Sequence, residues 1–183
     1  MPADASLPFE SLLAAEGRAP SALEQEVTAL FDELRNPLLR YLLSFGLSAQ
    51  DGEEVVQEVF LALFRHLREG KPRQNLRGWL FRVAHNLGLK KRNQGGRGPE
   101  SQEGSEDAVD PSPNPEVQAV SKQAHRKLLA VFGALPEQDQ RCIVLRSEGL
   151  RYREIAEVLN MSLGSVAQSL ERSLARIARV VER

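Results

Sequence analysis

Apolar side chains recur along this chain at spacings of three and four, and no strand-like alternation interrupts them. Leu23, Val27, Leu30, Phe31, Leu34, Leu38, Tyr41, Leu42 and Phe45 form a first stripe, the pattern of a helix with one buried face. Asn36-Pro37 falls inside it, which predicts a kink or a helix restart, and Gly46 ends the run. A second stripe, Val55, Val56, Val59, Phe60, Leu63, Phe64 and Leu67, is broken at Gly70-Lys71-Pro72-Arg73. A third helix follows, with Leu76, Trp79, Leu80, Val83 and Leu87 inward. Later come Leu128, Leu129, Val131, Phe132 and Leu135, then a helix opened by Pro136 that runs through Ile143 and Val144 to Gly149. Residues 151–160 carry Ile155, Ala156, Val158 and Leu159, and after a short break the last helix carries Val166, Leu170, Leu174, Ile177 and Val181. The fold class expected is all-α.

Between these two sets the pattern lapses. Residues 93–116 are rich in Gly, Pro, Ser and acids and carry almost no apolar side chain, too few to offset the entropy of ordering. The expected organisation is an N-terminal extension over 1–22, a helical domain over 23–94, a flexible acidic linker over 95–121 and a second helical domain over 122–183. A flexible linker of about 26 residues has an r.m.s. span of roughly 28 Å, so the two domains can grip separate points on a large partner. Phe9, Leu12 and Leu13 in the extension either pack on the first domain or belong to a disordered segment.

Composition sharpens this. The 183 residues suffice for one medium domain or two small ones. A single cysteine excludes an internal disulfide framework and a Cys-rich zinc site. No apolar run approaches the roughly 18 residues of a membrane span, and the N-terminus lacks the basic and apolar regions of a secretory signal, so a soluble cytoplasmic protein is expected. The net charge of -1 conceals segregation. Residues 1–26 carry -4, 27–95 carry +4, 96–121 carry -5 and 122–183 carry +4. Such asymmetry speaks to partners rather than fold.

Three segments carry candidate chemistry. The pair of helices ending the chain has the helix-turn-helix plan, with small Ala156 at the crossing and Ser162 placed to cap the second helix. The second helix of such a pair enters the DNA major groove by its N-terminal end. Ser165, Gln168, Ser169 and Arg172 would then face the duplex, Gln168 able to read adenine. Arg151, Arg153, Arg172, Arg176 and Arg179 are candidates for phosphate. Secondly, residues 71–97 hold eight Lys/Arg and no acid, interleaved with Trp79, Phe81, His85, Asn75 and Asn86. Basic charge tracks phosphate and aromatic faces stack on exposed bases, which favours single-stranded or melted nucleic acid, although Trp79 taken alone reads as core. Thirdly, Asp51, Glu53, Glu54 and Glu58, with Gln57, open the second helix. They complement its dipole and equally suit a basic protein partner.

In this order the three segments resemble one family. DGEEVVQEVFLALFRHL followed by NLRGWLFRVAHNLGLKKR is similar to region 2 of an extracytoplasmic-function sigma factor, and ALPEQDQRCIVLRSEGLRYREIAEVLNMSLGSVAQSLERSLARI to region 4. The resemblance implies a bacterial transcription initiation factor that binds core RNA polymerase and brings it to promoter DNA. The acidic helix of region 2, here Asp51, Glu54, Gln57 and Glu58, would bind the polymerase clamp. The loop 71–75 and Trp79, Arg82, Asn86 and Lys90, with Asn75 at the loop's end, would recognise and melt the -10 element. Arg151, Ser165, Gln168, Ser169 and Arg172 would serve the -35 element, region 4 would contact the polymerase flap, and the acidic linker would thread a basic channel. An anti-sigma factor is a common partner of the family. The family usually carries a basic residue after the valine of its recognition helix and another two positions on; here Ala167 and Ser169 stand there, which implies weaker major-groove binding.

Other chemistry is not evident. Cys142 beside Ile143 reads as a buried structural thiol, and His66, His85 and His125 have no ligand spacing. No phosphate loop, paired catalytic carboxylates or nucleophile elbow is present, so no enzyme, metal or cofactor is expected. The remaining alternatives are a stand-alone helix-turn-helix regulator, which has no use for the acidic helix or the basic stretch, and a helical adaptor that binds no DNA.

Overall fold

A computed structural model describes residues 20–44, 46–95 and 115–181, side chains of 115–121 and 181 excepted. All elements among the described residues are helices: α1 (Ala22–Ser44), α2 (Ala49–Arg68), α3 (Leu76–Gln94), α4 (Pro115–Gly133), α5 (Glu137–Ser147), α6 (Tyr152–Leu159) and α7 (Leu163–Val181). The chain divides into two compact units, Met1–Gly95 and Gly96–Arg183. Residues 1–19 of the N-terminal extension, with Phe9, Leu12 and Leu13, Phe45 of the first stripe, and linker residues 96–114 lie outside the described residues.

In the first unit α1, α2 and α3 pack on one another. The helix through Asn36-Pro37 does not restart: α1 is a single helix with Pro37 inside it. Pro37 has no N–H for the carbonyl one turn back. Leu34 on one side of it and Leu38, Tyr41 and Leu42 on the other are all buried, so burial of a continuous stripe outweighs the missing bond. α2 begins at the Ser48 cap, whose hydroxyl accepts from the Asp51 N–H at 3.1 Å. A Cβ on Gly52 would stand 2.8 Å from Leu39 Cδ1; glycine there lets α1 and α2 approach. Phe31 meets Phe60 edge-on at 4.9 Å between ring centroids.

The buried face of α3 is not wholly the one expected. Leu80 is fully buried as expected, but Phe81, Ala84, His85 and Gly88 complete the face, while Leu76, Trp79, Val83 and Leu87 are half-buried. Phe81 and His85 are therefore core residues rather than base-stacking ones. Phe81 packs against Tyr41 at 5.7 Å, and the Tyr41 hydroxyl is 2.8 Å from His85 Nδ1.

In the second unit α7 contacts α4, α5 and α6, and α5 contacts α6. α4 begins at Pro115, so the last seven residues of the expected linker are helical. Proline at a first helical position loses nothing, because its missing N–H has no intrahelical partner there. Leu135, Cys142, Leu145, Leu150, Ile155, Val158, Val166 and Leu170 form the core. Leu128, Leu129 and Leu174, expected inward, are exposed. Cys142 is buried, its Sγ 4.0 Å from Met161 Sδ, and desolvation pushes its thiol pKa up. Gly149 adopts φ +90° between α5 and α6, a left-handed turn that a side chain would strain.

Candidate nucleic-acid and protein interfaces

The acidic opening of α2 is internally paired. Lys91 of α3 reaches across to place its Nζ 2.5 Å from Glu54 Oε2 and 3.4 Å from Asp51 Oδ1. Arg35 of α1 meets Glu53 at 2.7 Å. The Ser48 hydroxyl holds the Asp51 carboxyl below its usual range, against desolvation and with help from Lys91, and Glu54 holds the Lys91 ammonium above its own. Gln57 is half-buried and Glu58 exposed, and no cation pairs with Glu58 among the described residues. These pairs are all partly solvent-exposed, where water screens them and leaves them weak.

Much of the basic stretch is likewise paired near its start. Lys71 pairs with Glu69 at 2.6 Å, Arg73 with Glu26, and Arg77 with Glu33 at 3.1 Å. Further along α3, Arg82, Asn86 and Lys90 are exposed, and their spacing of four sets them along one face. No carboxylate pairs with Arg82 or Lys90 among the described residues. Asn75 is the α3 cap, in the left-handed region at φ 53°, and its Oδ1 accepts from the Gly78 N–H at 3.1 Å. A Cβ at Gly78 would lie 2.5 Å from Asn75 Nδ2, so glycine makes room for the cap. Trp79 is half-buried and stacks on His66, with ring centroids 4.6 Å apart. The same imidazole donates from Nε2 to the Pro72 carbonyl at 2.9 Å, which ties the loop to α2.

The helix-turn-helix is closed by local chemistry. Asn160 ends α6 in the left-handed region at φ 52°, and Ser162 caps α7, its Oγ accepting from the Ser165 N–H at 3.0 Å. The Ser165 hydroxyl lies 2.8 Å from the same oxygen. Ser165 and Gln168 are exposed on α7, as is Arg151 at the start of α6. A shallow groove along α7 is lined by Gln168, Glu171, Arg172, Ala175, Arg176 and Arg179.

Ser169 does not face outward. It is buried, and its hydroxyl donates to Asp139 Oδ1 at 2.7 Å. Asp139, buried near the start of α5, also receives Arg172, whose NH2 group lies 2.9 and 2.8 Å from its two oxygens and whose Nε lies 3.3 Å away. Burial works against the charged carboxyl, but the Ser169 hydroxyl and the Arg172 guanidinium outweigh it and hold the pKa down. The Arg172 side chain keeps 54% of its surface exposed, so its outer edge still faces the groove. Serine at 169 is thus no lost DNA contact, because the position points into the domain. Ala167 is half-buried.

The family model "Sigma-70 region 2" matches residues 30–97, and "Sigma-70, region 4" matches residues 125–177. The chain belongs to the sigma-70 family. Within it two relatives are extracytoplasmic-function sigma factors. SigE of Mycolicibacterium smegmatis is 33% identical over 72% of this chain and 53% of its own length. The sigma-E factor of Haemophilus influenzae is 29% identical over 77% of this chain and 80% of its own. A probable RNA polymerase sigma factor, RfaY of Xanthomonas campestris, is 27% identical over 89% of this chain. The chain spans only 39% of that protein and about half of the Mycolicibacterium one. Among solved structures, the sigma factor RpoE bound to the anti-sigma factor NepR from Bartonella quintana shares the fold, with TM-score 0.60 and 15% identity, over 86% of this chain and 98% of that one. The family consists of transcription initiation factors and not enzymes.

In this sigma-family chain, region 2 is the first unit and region 4 the second. Region 2 brings Asp51, Glu54, Gln57 and Glu58 to one end of α2 and Arg82, Asn86 and Lys90 to one face of α3. The sequence places Lys91 in the basic stretch and gives His66 no ligand spacing, but shows neither one's partner. It singles out neither Asp139 nor Glu171, of which only Glu171 has a local signal, its place three residues beyond Gln168. Among the described residues no helix is long and apolar enough to cross a membrane.

Proposed function

We propose that the chain is a transcription initiation factor that binds core RNA polymerase and directs it to promoters in the cytoplasm, with no catalysis of its own. The carrying observation is the coexistence in one small unit of an acidic helix end and an open cationic face. Asp51, Glu54, Gln57 and Glu58 meet a basic clamp surface. The face of Arg82, Asn86 and Lys90, with Trp79 and Asn75 at its head, takes the melted -10 element, its cations tracking phosphate and the indole supporting an unstacked base. In region 4, Ser165, Gln168 and Arg172 face the -35 duplex and Arg151 a phosphate, and Ser169 acts through Asp139 and not through DNA. A stand-alone regulator has no role for the acidic helix end. The anti-sigma complex of the Bartonella relative supports a similar partner here.

Glu54→Lys with Glu58→Lys tests the reading. Like charges across an interface cost several kcal/mol, so core binding in a pull-down should fall by about two orders of magnitude or more, with helicity unchanged. Specific start sites should vanish in reconstituted transcription. Unchanged polymerase affinity would leave these acids as dipole partners only, and a wild-type chain that never alters start sites would end the sigma reading.

A further inference from the structure

Lys91 joins the two surfaces just described. It stands on α3 directly after Lys90, the last cation of the open face, yet its ammonium lies 2.5 Å from Glu54 and 3.4 Å from Asp51 on α2. Both acids belong to the set assigned to the polymerase. Lys91 therefore occupies, inside the protein, the place that a cation of the polymerase would take. All three side chains keep roughly a third to a half of their surface exposed, at 31%, 46% and 41% for Lys91, Glu54 and Asp51, so a partner can reach the pair without unfolding anything. Exposed ion pairs are weak, so exchange of one cation for another is easy. A released lysine has a four-carbon stem and three rotatable donors, and its neighbour already lies on the face that tracks phosphate.

We infer that Lys91 is a phosphate-binding residue of region 2 that Asp51 and Glu54 withhold until a basic surface of the polymerase takes their carboxylates. The inference rests on the proposed function and adds to it a link between its two halves: engaging polymerase adds one cation to the DNA-binding face. Neither half requires this link, since the acids can bind a clamp and the stripe can bind DNA with Lys91 still paired.

The test compares wild type with Lys91→Ala and Glu54→Gln, as full-length protein, folding being checked by circular dichroism. Lys91→Ala removes the internal competitor, so core polymerase should bind about two- to fivefold more tightly, the scale of one exposed pair. The resulting holoenzyme should bind forked -10 DNA with a salt slope shallower by about 0.7, one single-strand phosphate contact. Without polymerase, Lys91→Ala should leave DNA binding unchanged, while Glu54→Gln should steepen the slope by up to the same amount, because its lysine is partly released. Lys91→Arg should keep the wild-type slope in the holoenzyme. If Lys91→Ala holoenzyme shows the wild-type slope and core affinity, the inference is overturned while the sigma reading stands. If wild type itself fails to bind core polymerase, the sigma reading has failed first.

Discussion

On α3, Arg82, Asn86 and Lys90 stand in solvent with no carboxylate on Arg82 or Lys90 among the described residues, whereas on α7 Arg172 is gripped by a buried carboxylate from another helix. Both faces are assigned to DNA, and their construction differs as their targets do. Melted strands vary in shape, and long side chains in water can follow them at the expense of rotamer entropy. A duplex groove has fixed geometry, and an arginine already held bidentate by Asp139 loses little freedom on meeting it. On this assignment region 2 relies on adaptable charge, and region 4 on a pre-set recognition helix with few cations at its entering end.

Removing Asp139 should break that contrast most sharply. Asp139→Ala leaves the buried Ser169 hydroxyl without its acceptor and Arg172 without its partner. An unsatisfied buried polar group costs about 1–3 kcal/mol and hydrogen bonds to charged groups contribute about 1.5–3, so a loss of about 2–4 kcal/mol from the second unit is expected. In a domain of this size that lowers its melting temperature by about 10 °C or more, read as a shift of one transition in the full chain. The native carboxyl is held below its ordinary value by Ser169 and Arg172 against desolvation. Its contribution is therefore complete above the ordinary aspartate value and disappears as pH falls through the lowered native one. Acid titration of Asp139→Ala should lack that loss. A variant that melts like wild type would show that Arg172 is not held in solution.

The open face predicts the opposite signature. Arg82→Ala with Lys90→Ala should leave stability within about 0.5 kcal/mol, as surface substitutions do. The holoenzyme's binding to forked -10 DNA should lose about 1.4 units of salt slope, two single-strand phosphate contacts. A fall in stability with an unchanged slope would place these cations in the fold's own electrostatics.

How the sequence foretold these surfaces follows the range of the interactions. The helices were legible because period and caps are local: the Ser162 cap and the stripe from Val55 to Leu67 each lie within a few turns. The Arg82, Asn86 and Lys90 face came from the resemblance to region 2, and their spacing of four along α3 agrees with it. The Asp139–Ser169–Arg172 cluster joins residues 30 and 33 positions apart; the place of Ser169 three residues after Val166 puts it on the stripe's side, but no local pattern names its partner. Lys91 and Glu54 are 37 apart, so a stretch free of acids read as wholly available when tertiary packing neutralises part of it. Pro37 shows the same limit: proline is a local breaker, yet the buried stripe carries one helix through it, and the helix that begins at Pro115 takes in the end of a stretch whose composition alone reads as linker.

The smallest effect concerns the loop that heads the open face. His66 donates to the Pro72 carbonyl at 2.9 Å and lies 4.6 Å from the Trp79 ring. His66 thus bridges the loop and the indole, and both contacts are partly exposed. A ring pair contributes about 0.5–1.5 kcal/mol beyond its buried area, and an exposed hydrogen bond adds little, so His66→Ala should cost region 2 about 1 kcal/mol. Trp79 is the chain's only tryptophan, so its emission reports this contact without labelling. Loss of the imidazole should shift that emission to longer wavelength and weaken forked-DNA binding severalfold, leaving the salt slope intact because no cation is removed. A change in slope would mean that the loop's cations, Lys71 and Arg73, move with it, and that even the adaptable surface depends on one fixed hinge. Unchanged emission would detach the indole from His66 and leave Trp79 supported by the core alone.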